Sequence, residues 1–183
     1  EDLHAYPRDL PGDLDKLRAE GVDLVFTPTP VLMYPEGFQT YVTVETVAQG
    51  LEGAARPGHF QGVTTVVAKL FNLTQPDAAY FGQKDAQQVV VLRRMVADLN
   101  FPLEIVVVPT VREADGLAMS SRNAYLTSEE REAAIVLSKA LEVAGTAYDK
   151  GERQPEFLRR IVKAVIASER LAELEYVSVA DAG

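Results

Sequence analysis

The chain has 183 residues, 47% hydrophobic and 25% charged; this is a globular composition with material for one good core or two modest ones, and no apolar run nears the ~20 residues of a membrane span. Cysteine is absent and the only histidines are His4 and His59, which excludes disulfides and thiolate metal sites, argues against a multi-histidine metal centre, and makes a cytoplasmic home the expectation. The net charge of −9 argues against a general nucleic-acid binder, but one small phosphorylated ligand needs only local positive charge.

The first element expected is a helix over Arg8 to Glu20, with Leu10, Leu14 and Leu17 at helical spacing and Gly21 ending it. Val22 to Phe26 is a short apolar run and reads as a strand, closed by "TPTP". Thr40 to Thr46, "TYVTVET", alternates and is rich in β-branched residues, as in a strand at a sheet edge. Such an edge is a natural place for a second subunit to pair.

Thr64 to Leu73 reads as a helix with Val67, Leu70 and Phe71 on one face, then Asp77 to Phe81 as a strand and Asp85 to Leu99 as a helix. Glu104 to Val108 is nearly all apolar, as in a strand covered on both faces. This alternation predicts a parallel sheet with crossover helices. Beyond Pro109 lies a polar loop, Val111 to Asn123, without periodicity. Thr127 with Glu130 spells a capping box. The helix it opens is expected to reach about Tyr148, with Val136, Leu137, Ala140, Leu141 and Ala144 inward. A helix over about Pro155 to Ser168 and a strand over Glu173 to Val179 complete a small α+β unit, with the domain boundary between Pro109 and Ser120. The first residue is not methionine and the chain stops in "ADAG", so trimming at both ends is expected.

In an open parallel sheet, ligands bind beyond the carboxyl ends of the strands. The loops there are "FGQKDAQQ", Phe81 to Gln88, and "TVREADGLAMSSRN", Thr110 to Asn123. In the first, Gly82 permits close backbone approach or a positive φ. Lys84 is a mobile point charge suited to phosphate or carboxylate, and Asp85 opens a helix whose free N–H groups favour an anion. Gln88 shares a helix face with Asp85 and Leu92 and wants a polar partner. The plain alternative is an N-cap, a solvated lysine and a loop-bonded glutamine, and for this loop alone the two readings stand level. In the second loop, Ser120, Ser121 and Arg122 offer hydroxyls, amides and a guanidinium fork for phosphates. Gly116 and the length of the loop imply mobility. The alternative makes the serines turn formers and pairs Arg122 with Glu113 or Asp115. Arg56 and His59 in "RPGHFQG" flank a turn into a helix, where a carboxylate could sit; beside Phe60, the histidine reads more simply as structural. No G-x-G-x-x-G, P-loop or G-x-S-x-G sequence occurs.

The stretches "YFGQKDAQQVVVLRRMV", "RPGHFQGVTTVVAKLF" and "VPTVREADGLAMSSRNAYL", with "EDLHAYPRDL" and "MYPEGF", together resemble the pantothenate synthetase (pantoate–β-alanine ligase) family. The resemblance implies an α/β fold. A Rossmann-like nucleotidyltransferase parallel sheet, incomplete at its N-terminus, would occupy residues 1–110, and a small α+β C-terminal lid domain residues 111–183. It implies ATP and Mg²⁺, and pantoate and β-alanine as substrates, joined through a pantoyl adenylate with release of AMP and pyrophosphate. It also implies a homodimer, expected here through the Thr40 to Thr46 region, with no nucleic acid and no membrane.

By resemblance, Gly82, Gln83, Lys84 and Asp85 belong to the nucleotide-binding loop, with Lys84 on phosphate and pantoate oxygens. Met119, Ser120, Ser121 and Arg122 match the phosphate-binding signature, and Val111 the backbone contact to adenine. Gln88 matches a pantoate-binding glutamine, and Arg56 and His59 are assigned to the same substrate. The catalytic set is Lys84, Ser120, Ser121 and Arg122. The family's upstream pair of histidines and its first pantoate-binding glutamine have no counterpart here, nor have its last C-terminal strands. The chain on its own is therefore expected to turn over poorly. The alternatives are a related nucleotidyltransferase activating another small acid, and a non-catalytic dimerising fragment.

Overall fold

The computed structural model describes residues 6–180. His4, in the opening stretch, and the end of the closing "ADAG" lie outside them. The chain divides into two compact units, Glu1–Pro109 and Thr110–Gly183.

The first unit begins with α1, Leu10–Ala19, where the Asp9 carboxylate caps the Gly12 N–H at 3.1 Å. A single turn, α2 (Pro30–Met33), follows, and later another, α3 (Glu52–Ala55). The framework is α4 (His59–Thr74), β1 (Ala78–Gly82), α5 (Ala86–Asp98) and β2 (Glu104–Val108). The strands pair in parallel, Ala78 opposite Glu104 through Gly82 opposite Val108. The expected alternation of helix and strand is therefore present, with a helix crossing between parallel neighbours.

The core of this unit joins both helices to the sheet through Val67, Ala68, Phe71, Val89, Leu92, Met95 and Ile105. The Phe71 and Phe101 rings meet edge to face at 5.5 Å. Val67 and Phe71 lie inward as the helical spacing predicts. The sheet is covered on one face only among the described residues. Ile105 is buried while Tyr80 is 68% exposed, which corrects the expectation that Glu104 to Val108 is covered on both sides.

Two other expected strands of this unit are not strands. Val22 to Phe26 is irregular, with Leu24 83% exposed; a strand needs a neighbouring backbone to bond, and the described residues offer it none. Thr40 to Thr46 alternates in exposure from Tyr41 to Glu45, with Val42 and Val44 against the core, and Thr46 opens a 3₁₀ turn. Its backbone is satisfied by a helix instead. The Thr64 hydroxyl donates to the Val42 carbonyl at 2.6 Å, and the Thr65 hydroxyl accepts the Val42 N–H at 3.0 Å. Two adjacent threonines on α4 thus do the work of a partner strand at that residue.

The second unit opens on a hairpin rather than the aperiodic loop expected. Arg112 and Ala118 form an antiparallel bridge. A 3₁₀ turn, Ser121–Tyr125, precedes α6 (Ser128–Ala133), α7 (Val136–Asp149) and α8 (Pro155–Ala167). The capping box is formed: Thr127 Oγ1 accepts the Glu130 N–H at 3.3 Å, and Glu130 Oε2 accepts the Thr127 N–H at 2.8 Å.

The single helix expected from Thr127 to Tyr148 is two. At Ile135 and Leu137 the backbone bonds run to the residue three back, Ile135 to Glu132 and Leu137 to Ala134, which tightens one turn. Ala140 of α7 packs on Val162 and Ile166 of α8. Leu137 and Leu141 are 53% and 60% exposed, so the inward stripe is 136, 140 and 144 without them. Residues 173–179 form no strand, although Ala172 and Val177 lean on the helix pair. The second unit is accordingly helical plus a hairpin among the described residues, without the strand expected at residues 173–179.

Candidate active site

The first loop lies where the parallel-sheet rule puts a ligand, immediately after β1. Gly82 has φ −73° and ψ 134°. The positive-φ option is therefore not used, and the space above its Cα is open within 4 Å. Gln83, Lys84 and Asp85 form one 3₁₀ turn that runs into α5. Gln83, Lys84 and Asp85 are all exposed, and Lys84 forms no ion pair among the described residues. Asp85 occupies the N-cap position of α5 but makes no side-chain cap hydrogen bond. The N-cap alternative for its carboxylate is thus not realised, and the first turn of α5 keeps amide groups to offer an anion.

Gln87 and Gln88 part company. Gln88 is half-buried on α5. Gln87 is fully engaged: its Oε1 accepts the Glu52 N–H at 3.0 Å, and its Nε2 donates to the carbonyls of Val47 at 3.0 Å and Gly50 at 2.8 Å. Between the Gly50 and Glu52 anchors, Leu51 is held at φ 52° and ψ −124°, a conformation costly for leucine that survives where neighbours over-determine it. Sequence reasoning passed over Gln87. The signal was the doubled glutamine itself, since two neighbours on a helix point about 100° apart and cannot serve one partner.

Arg56 ends α3, its guanidinium 3.9 Å from the Glu52 carboxylate. It lines a cavity of about 510 Å³ with Thr43, Glu45, Phe60 and Gln61, and none of His59, Lys84 or Gln88 lines that cavity. His59 is the first residue of α4, half-buried with its ring 5.1 Å from that of Phe60.

In the second unit the hairpin orders the phosphate-binding candidates. Val111 is 59% exposed, and its carbonyl accepts the Met119 N–H at 2.9 Å. Met119 is 54% exposed. Ser120 Oγ accepts the Arg122 N–H at 3.2 Å, and the Ser120 carbonyl accepts the Asn123 N–H at 3.0 Å. Ser121 and Arg122 are exposed in the turn that follows. Asp115 pairs with Arg131 at 2.7 Å. The adjacent Arg131 guanidinium, aided by the Leu117 amide, holds the Asp115 carboxyl below the usual carboxylate range. Arg131 was not picked out from the sequence, because it lies on a helix nine residues beyond the signature. Among the described residues no group of three His, Asp or Glu side chains could hold a metal ion, so they offer magnesium no protein cage.

A parallel β–α–β unit with an anion-ready loop at the strand end defines a nucleotidyltransferase-like α/β protein. The Pantoate-beta-alanine ligase profile matches residues 1–183. The pantothenate synthetase of Chloroflexus aggregans is 62% identical over 180 residues, covering 98% of this chain and 65% of the relative. That of Roseiflexus castenholzii is 60% identical over 181 residues, covering 99% and 65%. The crystal structure of pantothenate synthetase from Thermus thermophilus superposes with a TM-score of 0.89 at 53% identity, covering 93% of this chain and 62% of that one. A pantoate-beta-alanine ligase from Francisella tularensis, solved with beta-gamma ATP and beta-alanine, gives a TM-score of 0.75 at 34% identity, covering 90% and 61%. The chain belongs to the pantoate–β-alanine ligase family, and it spans 65% of the length of these curated relatives.

Proposed function

We propose that the protein carrying this chain joins pantoate to β-alanine at the expense of ATP. The pantoate carboxylate attacks the α-phosphorus of ATP; the bond to the bridging oxygen breaks and pyrophosphate leaves. The β-alanine amine then attacks the acyl carbon of the mixed anhydride, a proton leaves the nitrogen, and AMP departs with the former carboxylate oxygen. The observation that carries the reading is the match of the family over the whole chain, with Lys84 exposed, and unpaired among the described residues, directly beyond β1.

Both steps concentrate negative charge on phosphate oxygens, so the chemistry asks for fixed donors and cations more than for proton transfer. Lys84 would neutralise the phosphates and orient the pantoate carboxylate. Gly82, Gln83 and Asp85 would line the nucleotide beside it. Ser120, Ser121 and Arg122 would hold the departing pyrophosphate, with Met119 beside them and the Val111 backbone on adenine. Gln88, Arg56 and His59 would bind pantoate. Magnesium would enter with the nucleotide. The reading includes a cytoplasmic homodimer joined along residues 40–46, supported by Tyr41, which is 59% exposed on a segment that Val42 and Val44 anchor to the core. A lid role for residues 111–183 belongs to the same proposal.

The test is pyrophosphate release from ATP by the full-length protein. Release that requires pantoate supports the reading. Release that requires a different small acid, or none with any, overturns it. Sedimentation velocity tests the dimer, with Tyr41→Arg expected to yield monomer.

A further inference from the structure

We infer that the Asp115–Arg131 ion pair is a positioning device that seats the 111–119 hairpin on the helices of its own unit and so sets where Ser120, Ser121 and Arg122 stand. The inference rests on the ligase reading for the role of those three residues.

The hairpin is internally tied. Glu113 N–H donates to the Leu117 carbonyl at 2.8 Å, Gly116 N–H to Glu113 at 2.9 Å, and Met119 N–H to Val111 at 2.9 Å. The Arg112 guanidinium adds a bond to the Gly116 carbonyl at 3.0 Å. Asp115 stands at the tip and divides its two carboxylate oxygens between tasks. Oδ1 accepts the Leu117 N–H at 3.1 Å and closes the turn. Oδ2 meets Arg131 of α6 at 2.7 Å.

The two residues after Asp115 make the same face a seat. Gly116 has φ +94°, and a Cβ there would lie 3.2 Å from the Ser138 hydroxyl of α7. Leu117 is buried, at 6% exposure. Asp115, Gly116 and Leu117 are therefore three consecutive anchors, polar, steric and apolar. The exit is fixed too, since the Asn123 side-chain amide donates to the Ala118 carbonyl at 3.1 Å. Residues 119–122 are thus bounded on both sides by fixed contacts.

An exposed ion pair normally contributes little. This one differs in that the Arg131 side chain is only 28% exposed, although Asp115 is exposed at 40%, and in that its carboxylate is already oriented by the turn it closes. Catalysis is sensitive to such placement, because a shift of about 1 Å in a substrate-holding group can cost about a hundredfold.

The experiment compares Asp115→Asn, Arg131→Gln, the double variant and Arg131→Lys in the full-length enzyme, with pantoate-dependent pyrophosphate release and thermal melting as readouts. Asparagine keeps the oxygen that closes the turn and removes only the charge, so the variant retains its fold. Each single variant is expected to raise the ATP KM about tenfold with the pantoate KM unmoved, an intermediate point on the scale just given. The double variant is expected to be no worse than either single one, as for a shared interaction, and Arg131→Lys to restore most of the loss. Unchanged ATP KM, losses that simply add in the double variant, or a lowered melting temperature without a kinetic change would each overturn the inference. Arg122→Ala separates the layers: if it abolishes turnover while the pair variants are silent, only the pair inference falls. If it leaves turnover intact, the ligase reading of this loop falls and takes the pair inference with it.

Discussion

The Gln87 side-chain amide donates to the Gly50 carbonyl at 2.8 Å, joining the first turn of α5 to a loop 37 residues earlier. With its bonds to Val47 and Glu52, Gln87 closes that loop around the strained Leu51. Gln87→Leu keeps the approximate volume and takes their side-chain partner from the Val47 carbonyl and the Glu52 amide, while the Gly50 carbonyl keeps the Gly53 N–H. It is expected to cost about 1–3 kcal/mol, the range for polar groups left without partners. Gly53→Ala attacks the same loop sterically, because the new Cβ would fall 1.7 Å from the Ala48 carbonyl oxygen. Urea denaturation of both variants checks this, and wild-type midpoints would refute it.

Lys84 is exposed and engages no carboxylate among the described residues, so its removal should leave the fold alone. Lys84→Ala is expected to reduce pantoate-dependent pyrophosphate release by about 10²–10³, the scale of losing one preorganised electrostatic partner. Circular dichroism and melting should match wild type. Undiminished turnover would remove Lys84 from the chemistry.

Gln88 is half-buried on the helix that follows the Lys84 loop, one residue beyond Gln87. Gln88→Ala is expected to raise the KM for pantoate by about tenfold, a loss of about 1.4 kcal/mol, and to leave the KM for ATP close to wild type. Steady-state kinetics with each substrate varied in turn decides it, and equal rises in both constants would exclude a pantoate contact.

Thr64 has no exposed surface, and its hydroxyl reaches the Val42 carbonyl at 2.6 Å with the Phe60 carbonyl at 2.8 Å. Thr64→Val is close to isosteric and leaves the Val42 carbonyl unpaired. It should destabilise the first unit by about 1–3 kcal/mol and speed amide exchange across residues 40–46. An unshifted denaturation midpoint would show that the contact contributes nothing.

Acid should loosen the hairpin. Asp115 is held below its ordinary value of 3.8 chiefly by Arg131 and then by the Leu117 amide. A depressed carboxyl favours the folded state at pH values above the unfolded pKa, and that contribution fades as pH falls through the folded one. Glu130, lowered from 4.5 by its bonds to Thr127, acts in the same direction. The contribution of these two carboxylates should therefore be constant from neutral pH down to about pH 5 and fade below about pH 4. Asp115→Asn should flatten part of that fall in melting temperature, and an unaltered profile would contradict the assignment.

Elements whose causes are local were legible in the order of residues. Periodicity placed α4, β1, α5 and β2 within a few residues, except that α4 starts at His59 rather than Thr64. Thr127 and Glu130 announced their capping box because both partners lie within one turn. The residues that identify the family were legible for the same reason: they are contiguous.

Whatever depends on partners far along the chain was settled by folding. "TYVTVET" alternates like a strand, yet whether it joins a ladder depends on which backbone lies beside it, and here two threonine hydroxyls on a helix stand in that place. Leu137 and Leu141 carry the same apolar character as Val136 and Ala140, but α8 approaches from one side only. Gln87 and Gln88 are identical as letters. One is satisfied by a loop from residues 47–52 and the other is not, because adjacent side chains on a helix diverge and only folding brings a third segment to one of them.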